Sequence, residues 1–194
     1  MFEAAPSART DLKSGTLYAA QGQDGWIYYG QVTPEKFIGF FKRRDRQIAE
    51  ADAVLVSPIM SVVPVAYHSI GRALRSGYWK KMGRYAVVNA IASPQPLVQW
   101  PVGTLTVTVW LSGKPNRDTR VEDPSIQDME VIAAWDAEHH IPARLTADFG
   151  AEQAEWHVGG PIRRERRIKE EKAMRFPDQR QNVLPADWVP TNKT

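Results

Sequence analysis

Four histidines are the first place to look for chemistry in this chain: His68, His139, His140 and His157. His139 and His140 follow Glu138 and precede a proline, yet adjacent residues do not face the same way on a helix. No H-E-x-x-H spacing is present, and the absence of cysteine removes every thiolate site and every disulfide. Phosphate loops of the G-x-x-x-x-G-K-[ST] and G-x-G-x-x-G types are missing, as is a G-x-S-x-G nucleophile elbow. Carboxylates are plentiful, so a hydrolase using a carboxylate with His139 or His140 stays open as a reading. Otherwise the pattern points to no catalytic set, no metal and no cofactor.

Residues suited to binding are better represented. There are seven tryptophans: Trp26, Trp79, Trp100, Trp110, Trp135, Trp156 and Trp188. A large apolar side chain favours the core for most of them, but tryptophan, tyrosine and arginine also dominate interface hot spots. The candidate anchors are Trp26, Tyr28 and Tyr29 in an aromatic hairpin, Arg43, Arg44 and Arg46 in the run Lys42 to Arg46, and Arg72 and Arg75 on a helix.

The elements that must carry these residues follow from periodicity. Gly15 to Ala20 and Trp26 to Val32 read as two strands joined at Asp24-Gly25, where glycine can take the positive φ of a hairpin turn. Phe37 to Phe41 is a strand candidate ended by the basic run. Ala53 to Val63 is apolar almost throughout and reads as a strand buried on both faces, with Pro58 marking a break or an edge. From Pro64, the spacing of Tyr67, Ile70 and Leu74 predicts one helix face, closed by Gly77. Tyr78 to Met82, Arg84 to Asn89 and Leu97 to Trp100 are short strand candidates. In Thr104 to Leu111, threonines alternate with leucine and valine, predicting a strand with one wet and one buried face. A turn follows at Ser112 to Asn116, and Thr119 to Glu122 is read as the returning strand.

Later segments read as helical. Asp123-Pro124 has the form of a helix start, with Ile126, Met129 and Ala133 as its apolar face. A second helix is expected near Pro142, with Leu145 and Phe149 four apart and Gly150 closing it. Ile162 to Arg175 predicts a charged helix supported by Glu165–Lys169 and Glu171–Arg175 pairs, with too few apolar residues for a buried face. The sum is an α+β, mainly β fold: an antiparallel sheet or partly open barrel with two or three short helices. Residues 1–12 read as a flexible N-terminus, 13–160 as a single globular domain, and 161–194 as a charged helix and proline-containing tail in which Leu184, Trp188 and Val189 are docking candidates.

Net charge is +3 and is unevenly placed. Between Arg163 and Arg175 lie seven basic and three acidic residues, leaving 18 basic and 19 acidic elsewhere. The interleaved glutamates favour an ion-paired helix over a nucleic-acid arm. No apolar run approaches the roughly 18 residues that a membrane span needs, and the N-terminus lacks a basic, then apolar, secretory signal. A reducing cytoplasm is the expected setting.

Three stretches together resemble the immunity protein 26 family of bacterial polymorphic toxin and contact-dependent inhibition systems. The first is Gly15 to Ala20, Asp24-Gly25 and Ile27 to Val32. The second is Ser76-Gly-Tyr-Trp-Lys-Lys-Met-Gly83. The third is Ala133-Ala-Trp-Asp-Ala-Glu-His139 with Arg144-Leu145. They span roughly residues 13–150, and the basic extension beyond is a departure from the family pattern. The resemblance implies a mainly β or α+β domain without catalysis that binds one cognate toxin domain. Its first stretch also fits SH3-like or Tudor-like small barrels, which keeps a nucleic-acid- or peptide-binding module as the alternative.

Overall fold

The computed structural model describes residues 1–150 and 158–193. Trp156 and His157 lie outside them. The chain divides into two compact units: Met1–Pro94 with residues 133–150, and Gln95–Ile132 with residues 158–193. This grouping differs from the expected single body over 13–160, because 95–132 folds with the C-terminal segment.

The first unit is built on an antiparallel sheet. Its strands are β1 (Thr16–Gln21), β2 (Ile27–Val32), β3 (Ile38–Asp45), β4 (Ile59–Val63) and β5 (Trp79–Arg84), in the order β4-β3-β2-β1-β5. The sheet is open, not a closed barrel. The expected hairpin is present, with Leu17 opposite Gln31 and Gln21 opposite Ile27. Its connection is longer than a two-residue turn: Gly22 N–H closes on the Trp26 carbonyl, and a short 3-10 turn at Gln23–Gly25 ends with Gly25 at φ +72°.

β1 and β2 are buried on both faces. Tyr18, Ala20 and Tyr28 pack into one core with Phe40, Ile70, Trp79 and Leu145. Leu17, Ala19, Ile27 and Tyr29 pack into a second with Phe41 and Val54. Alternating side chains point to opposite faces, so a doubly covered strand needs apolar or aromatic residues at both parities.

Helices α1 (Ala51–Leu55), α2 (Tyr67–Arg75) and α3 (Ile141–Phe149) complete this unit. The apolar run from Ala53 to Val63 is therefore not one strand. It starts in α1, breaks at Pro58, and ends in β4, a half-buried edge strand. α2 starts at Tyr67 because Pro64 and Val65 are tied to Trp135 by backbone pairing. Ile70, Ala73 and Leu74 are its buried face, while Tyr67 is 53% exposed. Arg84 ends β5, and no strand covers 85–89.

The N-terminal residues are held rather than frayed. Phe2 N–H donates to Gly77 O at 2.8 Å, the Tyr18 hydroxyl donates to Asp11 O at 2.7 Å, and Lys81 pairs with Asp11.

The second unit holds a four-stranded sheet of β6 (Leu97–Gln99), β7 (Thr106–Leu111), β8 (Lys114–Arg120) and β9 (Glu130–Val131), in the order β8-β7-β6-β9. β7 alternates as expected: Leu105, Val107 and Val109 are buried, and Thr104 and Thr106 are exposed. The return strand β8 begins at Lys114, after a tight turn with Ser112 and Gly113 both at positive φ. No helix follows Asp123. The cap-like Asp123 closes only a 3-10 turn at Pro124–Ile126, and β9 then pairs in parallel with β6. Trp135 lies in an irregular segment paired with Val65.

Helix α4 (Ile162–Arg175) forms over the expected residues but does have a buried stripe, of Ile162, Arg166 and Ile168. Arg166 is held by Gln127 Oε1 and the Val189 carbonyl, each at 2.8 Å. The tail docks through Trp188, which stacks on Trp100 with ring centroids 6.1 Å apart. Among the described residues no helix is long and apolar enough to cross a membrane.

Candidate functional site

β3 does not stop at the basic run. It continues through Asp45 because β2 pairs it to the end, with Tyr28 opposite Arg44 and Ile27 opposite Asp45. Continued pairing places Arg43 and Arg44 on a rigid strand and aims them by parity, with Arg46 one residue past its end.

Arg44 lies between two rings. Its guanidinium carbon is 4.3 Å from the Trp26 ring centroid and 4.3 Å from that of Phe149. The exposed Arg46 sits 3.8 Å from the Trp26 ring. Each such contact contributes about 0.5–1 kcal/mol at exposed sites. Stacking uses the face of a guanidinium and leaves its in-plane N–H groups for carboxylates. Arg44 has no side-chain hydrogen bond or ion pair among the described residues. The result is a preordered patch of Trp26, Arg44, Arg46 and Phe149 suited to an acidic partner.

The other expected anchors sit differently. Tyr28 and Tyr29 are fully buried, so they are corrected from contact residues to core residues. Burial pushes the Tyr29 phenol up to about 12, the amide of Ala49 opposing, and the same hydroxyl accepts from Ala49 N–H at 2.9 Å. Arg43 is turned to its own neighbours: Nε meets Asp45 at 2.8 Å and Nη1 donates to Ala53 O at 2.8 Å, bracing α1. Arg75 reaches the Ala8 carbonyl at 3.3 Å. Arg72 pairs with both Asp136 and Glu138. Phe149 was missed as a site residue because its four-residue spacing from Leu145 reads as one apolar face. Leu145 is fully buried, whereas Phe149 is half-buried at the end of α3 and reaches Arg44.

Asp136, Glu138 and His139 place potential ligand atoms within 4.8 Å of one another. The cluster already has its cation in Arg72, which bridges both carboxylates. Asp136 Oδ1 also accepts the amides of Glu138 at 2.9 Å and His139 at 3.0 Å, so it caps the turn leading into α3. Burial pushes this carboxyl up, but those two amides and Arg72 outweigh it and hold it below the ordinary value. His140 Nδ1 accepts from Asp136 N–H at 3.2 Å, and its ring meets Trp135 edge-on. These groups are spent on shaping the turn.

No family model, curated protein or solved structure matches the chain. Its functional reading therefore rests on its own residues and on the motif resemblance.

Proposed function

We propose that this chain is an immunity protein that binds a cognate bacterial toxin domain and neutralises it by stoichiometric contact. The observation carrying this reading is the Trp26–Arg44–Arg46–Phe149 patch, which presents hot-spot residue types in a fixed arrangement. Support also comes from where the three resembling stretches lie: all belong to the first unit and are stitched to one another. Ala20 pairs with Trp79 in the sheet, Trp79 Nε1 donates to Ala137 O at 3.2 Å, and Ser76 Oγ donates to Glu138 at 2.5 Å. Gly15, which opens the first stretch, has φ +86°, and a Cβ there would lie 2.1 Å from the Tyr85 carbonyl oxygen. The motif residues thus build a scaffold, which leaves exposed residues to choose the partner.

Protection that outlasts exposure requires an affinity of nanomolar or better, about −12 kcal/mol. An interface of about 1,600 Å² suits that strength. The charge of Lys42 to Arg46 favours a toxin with an acidic patch over a strongly basic nuclease. The test is charge reversal. Arg44→Glu with Arg46→Glu should weaken the complex at least about a hundredfold, while the isolated chain stays folded and loses only the three ring contacts, about 1.5–3 kcal/mol. Unchanged affinity would remove this patch from the interface.

A further inference from the structure

The second unit contains a cavity of about 380 Å³, within the range of small-ligand sites. Its floor is α4, through Ile168, Lys169 and Lys172, and the docked tail closes one side through Leu184 and Trp188. The aromatic wall is fixed in place. Trp100 Nε1 donates to Thr104 O at 2.9 Å, and Trp188 Nε1 donates to Glu170 at 2.9 Å. Glu170 also accepts from the Thr191 amide and hydroxyl, which pins the tail. Both indoles are therefore oriented and satisfied, and neither needs a ligand to hold it.

The lysine on the floor is in a different position. Lys169 is half-buried, with Nζ 4.7 Å from the Trp100 ring centroid. It has no hydrogen bond or ion pair among the described residues, although an ammonium carries three donors. Burial pulls its pKa down, Glu165 raises it and Lys172 lowers it further. Lys172 and Arg180 also line the cavity, against one carboxylate, Glu165. That is an excess of two positive charges facing a partly apolar space.

We propose that this cavity binds a small phosphomonoester with an apolar body, its phosphate on Lys169 between Lys172 and Arg180, its body along Trp100 and Ile168. A phosphomonoester carries about −1.5 to −2 charges near neutral pH, which matches the excess, and lysine serves phosphate as a point charge. A carboxylate would neutralise only half of it. The occupant is a small molecule, because the space between the tail and α4 is a pocket of about 380 Å³, the size of a small-ligand site. This site is separate in residues and in chemistry from the patch assigned to the toxin.

The experiment titrates the full chain with phenyl phosphate, following tryptophan fluorescence and thermal unfolding at low salt. Inorganic phosphate and phenol serve as the separate head and body. Phenyl phosphate should give a saturable fluorescence change and a raised melting temperature, with inorganic phosphate weaker and phenol without saturable effect. Lys169→Gln should weaken phenyl phosphate about tenfold. Arg180→Gln, in the exposed tail, should weaken it severalfold without moving the unliganded melting temperature. Absence of saturable binding at millimolar phenyl phosphate would overturn the proposal. So would phenol binding as well as phenyl phosphate, or undiminished binding by Lys169→Gln. Should Lys169→Gln fail to fold, undiminished binding by Arg180→Gln overturns it instead.

Discussion

Truncating Trp79 to alanine tests whether the central motif is scaffold or contact. Trp79 is 1% exposed. Its ring lies 5.5 Å from Tyr18 and 6.2 Å from Phe40, centroid to centroid. Burying a tryptophan removes about 150–250 Å² from water, which at about 25 cal/mol per Å² is about 4–6 kcal/mol. Core tryptophan-to-alanine changes cost about 3–5 kcal/mol. The lost Nε1–H also leaves the Ala137 carbonyl without its donor, a further cost of about 1–3 kcal/mol where no water reaches it. The expected loss is therefore about 4–6 kcal/mol, a large share of the stability of a small protein. Trp79→Phe keeps part of the stacking and loses the hydrogen bond, so about 2–3 kcal/mol is expected. Urea unfolding followed by near-ultraviolet circular dichroism measures both. A Trp79→Ala protein within about 1 kcal/mol of the parent, but unable to bind its partner, would refute the scaffold assignment.

Three further outcomes follow from the geometry. Arg144 and Asp148 are buried, with side-chain exposures of 1% and 4% and a 2.8 Å contact, so Asp148→Ala should cost about 3–5 kcal/mol by removing the carboxylate from a buried guanidinium; urea midpoints measure it. On β7, Val107→Thr should destabilise by about 1–3 kcal/mol, while Thr106→Val should stay within about 0.5 kcal/mol; the reverse ranking would mean that the sheet faces are misassigned. The Asp123 carboxyl is held well below its ordinary value of 3.8 by Ser125, Thr119 and Arg117. A depressed carboxyl contributes stability that is present above its unfolded value and lost as pH falls through its folded value. Asp123→Asn should therefore lower stability at neutral pH and flatten its decline below pH 3.8, measured by denaturant unfolding across an acid series.

Much of the fold was legible where one face of an element meets water. β7 announces itself because its threonines are wet and its valines are not. α3 and α4 were legible from their end signals and charge pairs. The failures share a cause, which is packing or pairing with residues remote in sequence. β9 pairs with β6 across some thirty residues, and that pairing overrides the helix implied by Asp123-Pro124 and Ile126. The run from Ala53 to Val63 has no period, so nothing in it separates α1 from β4 except Pro58. Tyr28 and Tyr29 looked like a displayed aromatic pair, but a strand covered on both faces buries both parities. Arg166 looked solvated until Gln127 and the Val189 carbonyl took its donors. The proposed contact patch was legible in three of its four members: Trp26, Arg44 and Arg46 were named, and Phe149 required the return of α3 to the sheet.

The most direct measurement is to co-express this chain with a toxin domain found encoded beside its gene, followed by copurification. If this chain neutralises its toxin by binding, toxin-expressing cells survive only when it is present, the two elute as one stable stoichiometric complex, and Trp26→Ala with Arg44→Glu and Arg46→Glu abolishes both survival and complex. Survival with no physical complex would contradict it, because protection would then come from reversing the toxin's product and not from binding the toxin.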